Sequence, residues 1–240
     1  MFFRYSYHEK YRLPPIENFT SLHELKININ SFNPDYSKPE DVLKNSSVVK
    51  MRINDHVNSL MWLKNFPQLK DLYMSKDGYG KATKDINVFE YLTNLEELEM
   101  SCPNSENIDF LKNCVNIKKL NIDLNGRYSE GSKVQNIDAL KYLTKLEELD
   151  ISVPKDVKIE GGESFSYEGL SYCKKLKNLI ISSDDATNLL ANLKSCSALE
   201  KLDLKSNSEF NIKLSTSNFY GINKFDKLKR VNLDDTRIKF

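Results

Sequence analysis

The chain has 240 residues, 40% hydrophobic and 29% charged, the composition of a folded domain and neither a disordered nor a lipid-embedded chain. Its 35 Lys and Arg against 34 Asp and Glu leave a formal net charge of +1, so the whole-chain field offers no long-range pull toward nucleic acid or anionic membrane. Four cysteines without a CxxC pair suggest neither a disulfide framework nor a zinc site, and no run approaches the roughly 18 apolar residues that a spanning helix requires.

Taken from the start, Met1 to Lys10 lacks an apolar stretch followed by a small-residue cleavage site, so no secretory signal is expected and the expected compartment is the cytoplasm. Phe2, Phe3, Tyr5, Tyr7 and Tyr11 instead read as an aromatic cap over residues 1–12. From residue 13 a repeat begins. Leu95-Glu96-Glu97-Leu98-Glu99-Met100 returns as Leu146-Glu147-Glu148-Leu149-Asp150-Ile151 and as Leu199-Glu200-Lys201-Leu202-Asp203-Leu204. Alignment on the central apolar residue predicts nine strands, centred in chain order on Leu25, Met51, Leu72, Leu98, Leu120, Leu149, Leu179, Leu202 and Val231.

Two apolar columns precede each strand. Three residues before its first apolar position stand Phe19, Asn45, Phe66, Leu92, Cys114, Leu143, Cys173, Cys196 and Phe225; three earlier stand Ile16, Val42, Leu63, Phe89, Leu111, Leu140, Leu170, Leu193 and Ile222. Asn45 alone breaks the pattern. The cysteines at 114, 173 and 196 take the place of Phe or Leu, and the expectation is a buried thiol acting as a small hydrophobe. Extra length falls after strands, at Asp77 to Asp85, Asn125 to Asn136, Pro154 to Ser164 and Asn207 to Asn218. These polar stretches read as surface loops, whose closure entropy grows slowly with length. After the ninth centre little chain remains, so Val231 and an unpaired strand edge are expected to face solvent or a second copy of the chain.

The periodic motif resembles the leucine-rich-repeat family, whose strand consensus is L-x-x-L-x-L-x-x-N/C-x-L, and within it the short-repeat subclass found in internalins and phosphatase-regulatory repeat proteins. The resemblance covers residues 13 to 238, with 239–240 as a C-terminal end. It implies an α/β solenoid, a right-handed superhelix with a concave parallel β-sheet and short helical or irregular segments on the convex side. Asn30, Asn125, Asn207 and Thr236 fit the N/C position, whereas His56, Asp77, Pro103, Pro154 and Asp184 depart from it, so the asparagine ladder usual in the family is expected to be broken.

Side chains alternate across a strand, so the residues flanking each centre face the concave side. The preceding column reads Glu24, Lys50, Asp71, Glu97, Lys119, Glu148, Asn178, Lys201, Arg230 and predicts a largely self-satisfied charge ladder. The following column reads Lys26, Arg52, Tyr73, Glu99, Asn121, Asp150, Ile180, Asp203, Asn232. It places no opposite charges side by side and exposes one aromatic and one aliphatic residue, the composition of an unpaired binding surface. The candidate partner-binding residues are therefore Tyr73, Glu97, Glu99, Asn121, Asp123, Asp150, Ile180 and Asp203, and their acidic centre suits a protein or peptide with a basic segment.

Other chemistry finds little footing. Gly78-Tyr79-Gly80-Lys81-Ala82-Thr83 lacks the glycine spacing of a phosphate-binding loop, and His8, His23 and His56 lie far in sequence from the repeat cysteines that a catalytic pair would need. The expectation is a non-catalytic protein-binding scaffold without cofactor or metal. The alternative is a carbohydrate- or lipid-recognition surface, which would want a concave aromatic row where only Tyr73 stands.

Overall fold

The computed structural model describes residues 2–3, 16–27, 44–53, 59–74, 85–102, 105–125, 134–153, 165–183, 189–205, 212–215, 225–232 and 236–239. The strands are β1 (Phe2–Phe3), β2 (Glu24–Ile27), β3 (Lys50–Ile53), β4 (Asp71–Met74), β5 (Glu97–Ser101), β6 (Lys119–Asp123), β7 (Glu148–Ser152), β8 (Asn178–Ser182), β9 (Lys201–Lys205), β10 (Ile212–Ser215), β11 (Arg230–Asn232) and β12 (Thr236–Lys239). One open sheet takes β1 to β9 and then β11 in order, every pairing parallel.

All nine expected strands are present, and the repeat alignment is also the sheet register. Leu25 pairs with Met51, Leu72 with Leu98, Leu120 with Leu149, Leu179 with Leu202, and Leu202 with Val231. Register follows from the two-residue period: a slip by one would turn every core side chain of a strand toward water. Centres and second apolar positions are buried, from Leu25 and Ile27 through Leu202 and Leu204. The same carbonyl at the start of each strand accepts two amides from the next repeat. Lys70 O takes Glu96 and Glu97 N–H at 2.7 and 3.0 Å, and Glu147 O takes Lys177 and Asn178 N–H at 2.8 and 3.1 Å.

Opposite the sheet the chain makes short 3-10 turns, among them Met61–Asn65, Ile86–Tyr91, Asp109–Leu111, Asp138–Tyr142 and Glu168–Tyr172. A single α-helical turn, α1 (Leu189–Asn192), runs into the 3-10 turn Leu193–Ser195. Leu63, Phe89, Leu111, Leu140, Leu170 and Leu193 point from these turns into one continuous core. Because each repeat orders about 25 residues for only a few buried apolar side chains, it cannot stand alone, and its neighbours supply the missing burial.

The exception in the second column has a structural cause. Asn45, only 2% exposed, donates from Nδ2 to the carbonyls of Ile16 (2.6 Å) and Phe19 (3.2 Å). Its Oδ1 accepts from the Ser47 and Val48 amides and the Ser47 hydroxyl. The cysteines repeat this contact in weaker form: Cys114 Sγ donates to Phe89 O (3.4 Å), Cys173 Sγ to Leu140 O (3.8 Å) and Cys196 Sγ to Leu170 O (3.3 Å). All four bond the equivalent carbonyl one repeat earlier, so these thiols staple successive turns as well as filling space.

Two expectations need correction. Asn207 to Asn218 is not loop throughout: Ile212–Ser215 is a strand, paired in parallel with Thr236–Lys239 as a separate two-stranded sheet. Alternating Ile212 and Leu214 carries the strand period, but polar neighbours on both sides conceal it. Phe19 is 40% exposed where its counterparts are buried; it belongs to the first repeat, with no preceding repeat to pack on it among the described residues. At the N-terminal end, Phe2–Phe3 adds a parallel strand to β2; Tyr5, Tyr7 and Tyr11 lie outside the described residues, as do Val42, Ile222 and most of the N/C positions and extra stretches.

Candidate protein-binding face

The concave side of β3 to β8 holds an open groove of about 340 Å³. Its polar rim carries five carboxylates (Asp71, Glu97, Glu99, Glu148 and Asp150) against three cations (Lys50, Arg52 and Lys119), with Tyr73 and Ile180 as its larger apolar contacts. The strand period puts these residues there, because each flanks a buried centre.

Six of the eight expected residues meet in this groove: Tyr73, Glu97, Glu99, Asn121, Asp150 and Ile180. Asp123 and Asp203 do not line it. Asp123 ends β6 and accepts the Asn125 amide at 3.0 Å, capping its own turn. Asp203, one strand beyond the groove, accepts from Asn232 Nδ2 at 3.2 Å and lies 3.9 Å from Lys205.

The column after the centres is not made of unpaired charges. The Arg52 guanidinium sits 5.0 Å from the centroid of the Tyr73 ring, Lys26 pairs with Glu24 at 3.4 Å, and Glu99, Asn121 and Asp150 are also engaged. Lys26 and Glu24 stand two residues apart on one strand, a contact that reading across the strands conceals, whereas Arg52 lies directly opposite Tyr73 and a tally of opposite charges passes over a cation on a ring. The column before the centres does pair across strands. Lys50 meets Asp71 at 3.7 Å, and Lys119 is shared between Glu97 (3.5 Å) and Glu148 (3.8 Å). By count negative charge still prevails, five carboxylates to three cations, and burial, with the Glu97 carboxylate second, pushes the Asp71 carboxyl up against the pull of Lys50.

A third column escaped the sequence reading. Two residues before the centres stand Lys70, Glu96, Lys118, Glu147, Lys177, Glu200 and Lys229, in strict alternation. Glu96 is held by Lys70 at 3.0 Å and Lys118 at 2.5 Å, Glu147 by Lys177 at 2.6 Å, and Glu200 by Lys229 at 2.8 Å. Hydrogen bonds from the two lysines bring the Glu96 carboxyl down to about 2. The signal was in the sequence, but these positions stand at the corner before the strand, where period-two counting does not assign a face.

No family model and no curated protein matches the sequence. Among solved structures the chain is similar to internalin C2 from Listeria monocytogenes, with a TM-score of 0.51 at 18% identity over 84% of this chain and 75% of that one. A weaker likeness to PEPR1–AtPEP1 has a TM-score of 0.46 at 15% identity, over 82% of this chain and 25% of that one. The stacked parallel strands and the internalin likeness define the fold as that of a leucine-rich-repeat protein, an α/β solenoid.

Proposed function

We propose that this protein is a non-catalytic scaffold that binds a protein or peptide in the concave groove, with a basic segment of the partner over its acidic centre. The observation that carries this reading is the convergence of five carboxylates and two apolar contacts, Tyr73 and Ile180, on one open groove with only three cations to offset them. Desolvated anchors ringed by charge are what protein interfaces use. Arg52 over the Tyr73 ring tells against sugar stacking there. The reading places the protein in the cytoplasm, without a cofactor. It also takes the edge of β11, where Val231 is 41% exposed, as a surface on which a second copy can pair.

The test is affinity capture from the native source with the intact chain and with a Tyr73→Ala, Asp150→Arg variant. The reading expects a partner that the variant fails to retain. A partner retained equally by both would move binding off this groove. Sedimentation of the intact chain against Val231→Lys checks the edge pairing separately: a monomer in both, over micromolar concentrations, removes it.

A further inference from the structure

The register of the sheet sets one row of the groove apart. Tyr73 stands opposite Glu99, Glu99 opposite Asn121, Asn121 opposite Asp150, and Asp150 opposite Ile180. Strands β4 to β8 thus carry an apolar anchor, a carboxylate, an amide, a second carboxylate and a second apolar anchor, in line along the groove. Neighbouring strands lie about 4.8 Å apart, so the anchors stand about 19 Å apart with a carboxylate about 5 Å in from each. Arg52 meets the Tyr73 ring from β3, the side away from the row.

Along the described strands the two ends of the face carry the opposite charge. Before the row, β2 and β3 hold Lys26, Lys50 and Arg52 against Glu24; after it, β9 and β11 hold Lys201, Lys205 and Arg230 against Asp203. Lys119 belongs to the neighbouring column, shared between Glu97 at 3.5 Å and Glu148 at 3.8 Å. A basic segment is therefore attracted over the middle strands and opposed on either side of them.

We propose that the partner segment is an extended chain laid across the strands, with two basic residues bracketed by two apolar ones: apolar at its first position, basic at its third and fifth, apolar at its seventh. This rests on the groove being the binding face. An extended chain rises about 3.3 Å per residue and turns alternate side chains to one side. Positions one and seven then stand about 20 Å apart, matching Tyr73 and Ile180, and positions three and five lie about 7 Å in from each end. A lysine or arginine stem covers the remaining distance to Glu99 or Asp150. An anchor moved by one position would point to solvent, and basic residues added outside the bracket would meet the cations at the ends of the face.

The test uses the full chain and fluorescein-labelled peptides, followed by anisotropy at about 50 and 150 mM salt. The matched peptide carries leucine at positions one and seven and lysine at three and five, with serine elsewhere and two serines at each end. Moving the second leucine to position six should weaken binding by roughly tenfold, the share of one anchor. Ile180→Ala should weaken the matched peptide equally and leave the shifted one unchanged. Proline at position four, which an extended chain accepts and a helix does not, should retain binding. A peptide of lysines alone, of the same length, should bind less tightly than the matched one at about 150 mM salt. Circular dichroism checks that the variant folds, and the comparison of peptides on the native chain needs no variant. Equal binding of matched and shifted peptides overturns the proposal, as does loss of binding with proline or tighter binding of the lysine peptide. If binding in those cases is still lost in Glu99→Gln with Asp150→Asn, the acidic groove stands and only the bracketed spacing falls. A matched peptide held equally well by that variant removes both. No binding of the matched peptide at about 50 mM salt also overturns the proposal, while capture of a partner through Tyr73 and Asp150 decides the groove reading by itself.

Discussion

Neighbouring residues on one strand divide the labour of this fold. Leu149 is 2% exposed at the centre of β7, and Asp150 beside it is half-buried on the groove. Leu149→Ala should cost about 2 to 5 kcal/mol in urea denaturation, as large-to-small core changes do. Asp150→Ala should cost less than about 1; equal losses would mean that the two faces have been exchanged. Asn45 should behave like a core residue despite its polarity. Asn45→Ala removes the donations to the Ile16 and Phe19 carbonyls and the acceptor of the Ser47 and Val48 amides, which should cost about 3 kcal/mol. The cysteine staples are weaker bonds made by a group that fills its site. Burial pushes the thiols of Cys102, Cys114 and Cys173 up to about 12 and that of Cys196 to about 11. Since the thiolate is the reacting species, all four should label slowly in the native protein and at once in denaturant; fast native labelling at 114, 173 and 196 would refute their burial.

At the scale of elements, the alternation from Lys70 to Lys229 runs along the corners of seven successive repeats and pairs them in three groups, Lys70–Glu96–Lys118, Glu147–Lys177 and Glu200–Lys229. Single exposed ion pairs contribute little, but a network of fixed order also sets which corner may follow which, because a skipped repeat would set like charge on like. Its pH signature follows from Glu96. That carboxyl is held down to about 2 in the folded chain against an ordinary value of 4.5, so its contribution is complete above about pH 4.5 and is lost as pH falls through 4.5 toward 2. Glu147 and Glu200 are lowered by their lysines too and act in the same direction. The denaturation midpoint of Glu96→Gln should therefore lie below that of the native chain at pH 6 and converge with it near pH 2. A constant gap across that range would show that the ladder holds no such charge.

Over the whole molecule, the nine strands, their register and the turn-borne core column were legible because burial in a solenoid imposes one period on every copy. Six of eight groove residues could be placed for the same reason: a residue that flanks a buried centre must face out. What strand counting left hidden depends on contacts between positions with no fixed face. The Lys70-to-Lys229 alternation sits at a corner, the Lys26–Glu24 pair runs along one strand and not across it, and Asp123 turns its carboxylate to the backbone two residues on. Asn45 reads as a blemish until the carbonyls it bonds are seen, and β10 becomes a strand only through β12, more than twenty residues later.

The central claim, that the acidic concave groove receives the partner, is tested most directly by association kinetics with the captured protein. Rates would be measured for the native chain and for Glu97→Gln, Glu99→Gln, Asp150→Asn at low and at physiological salt. Electrostatic steering predicts an association rate that falls steeply with salt for the native chain, a lower and flatter rate for the variant, and convergence of the two at high salt. Equal rates and equal affinity for both chains at low salt would contradict the account.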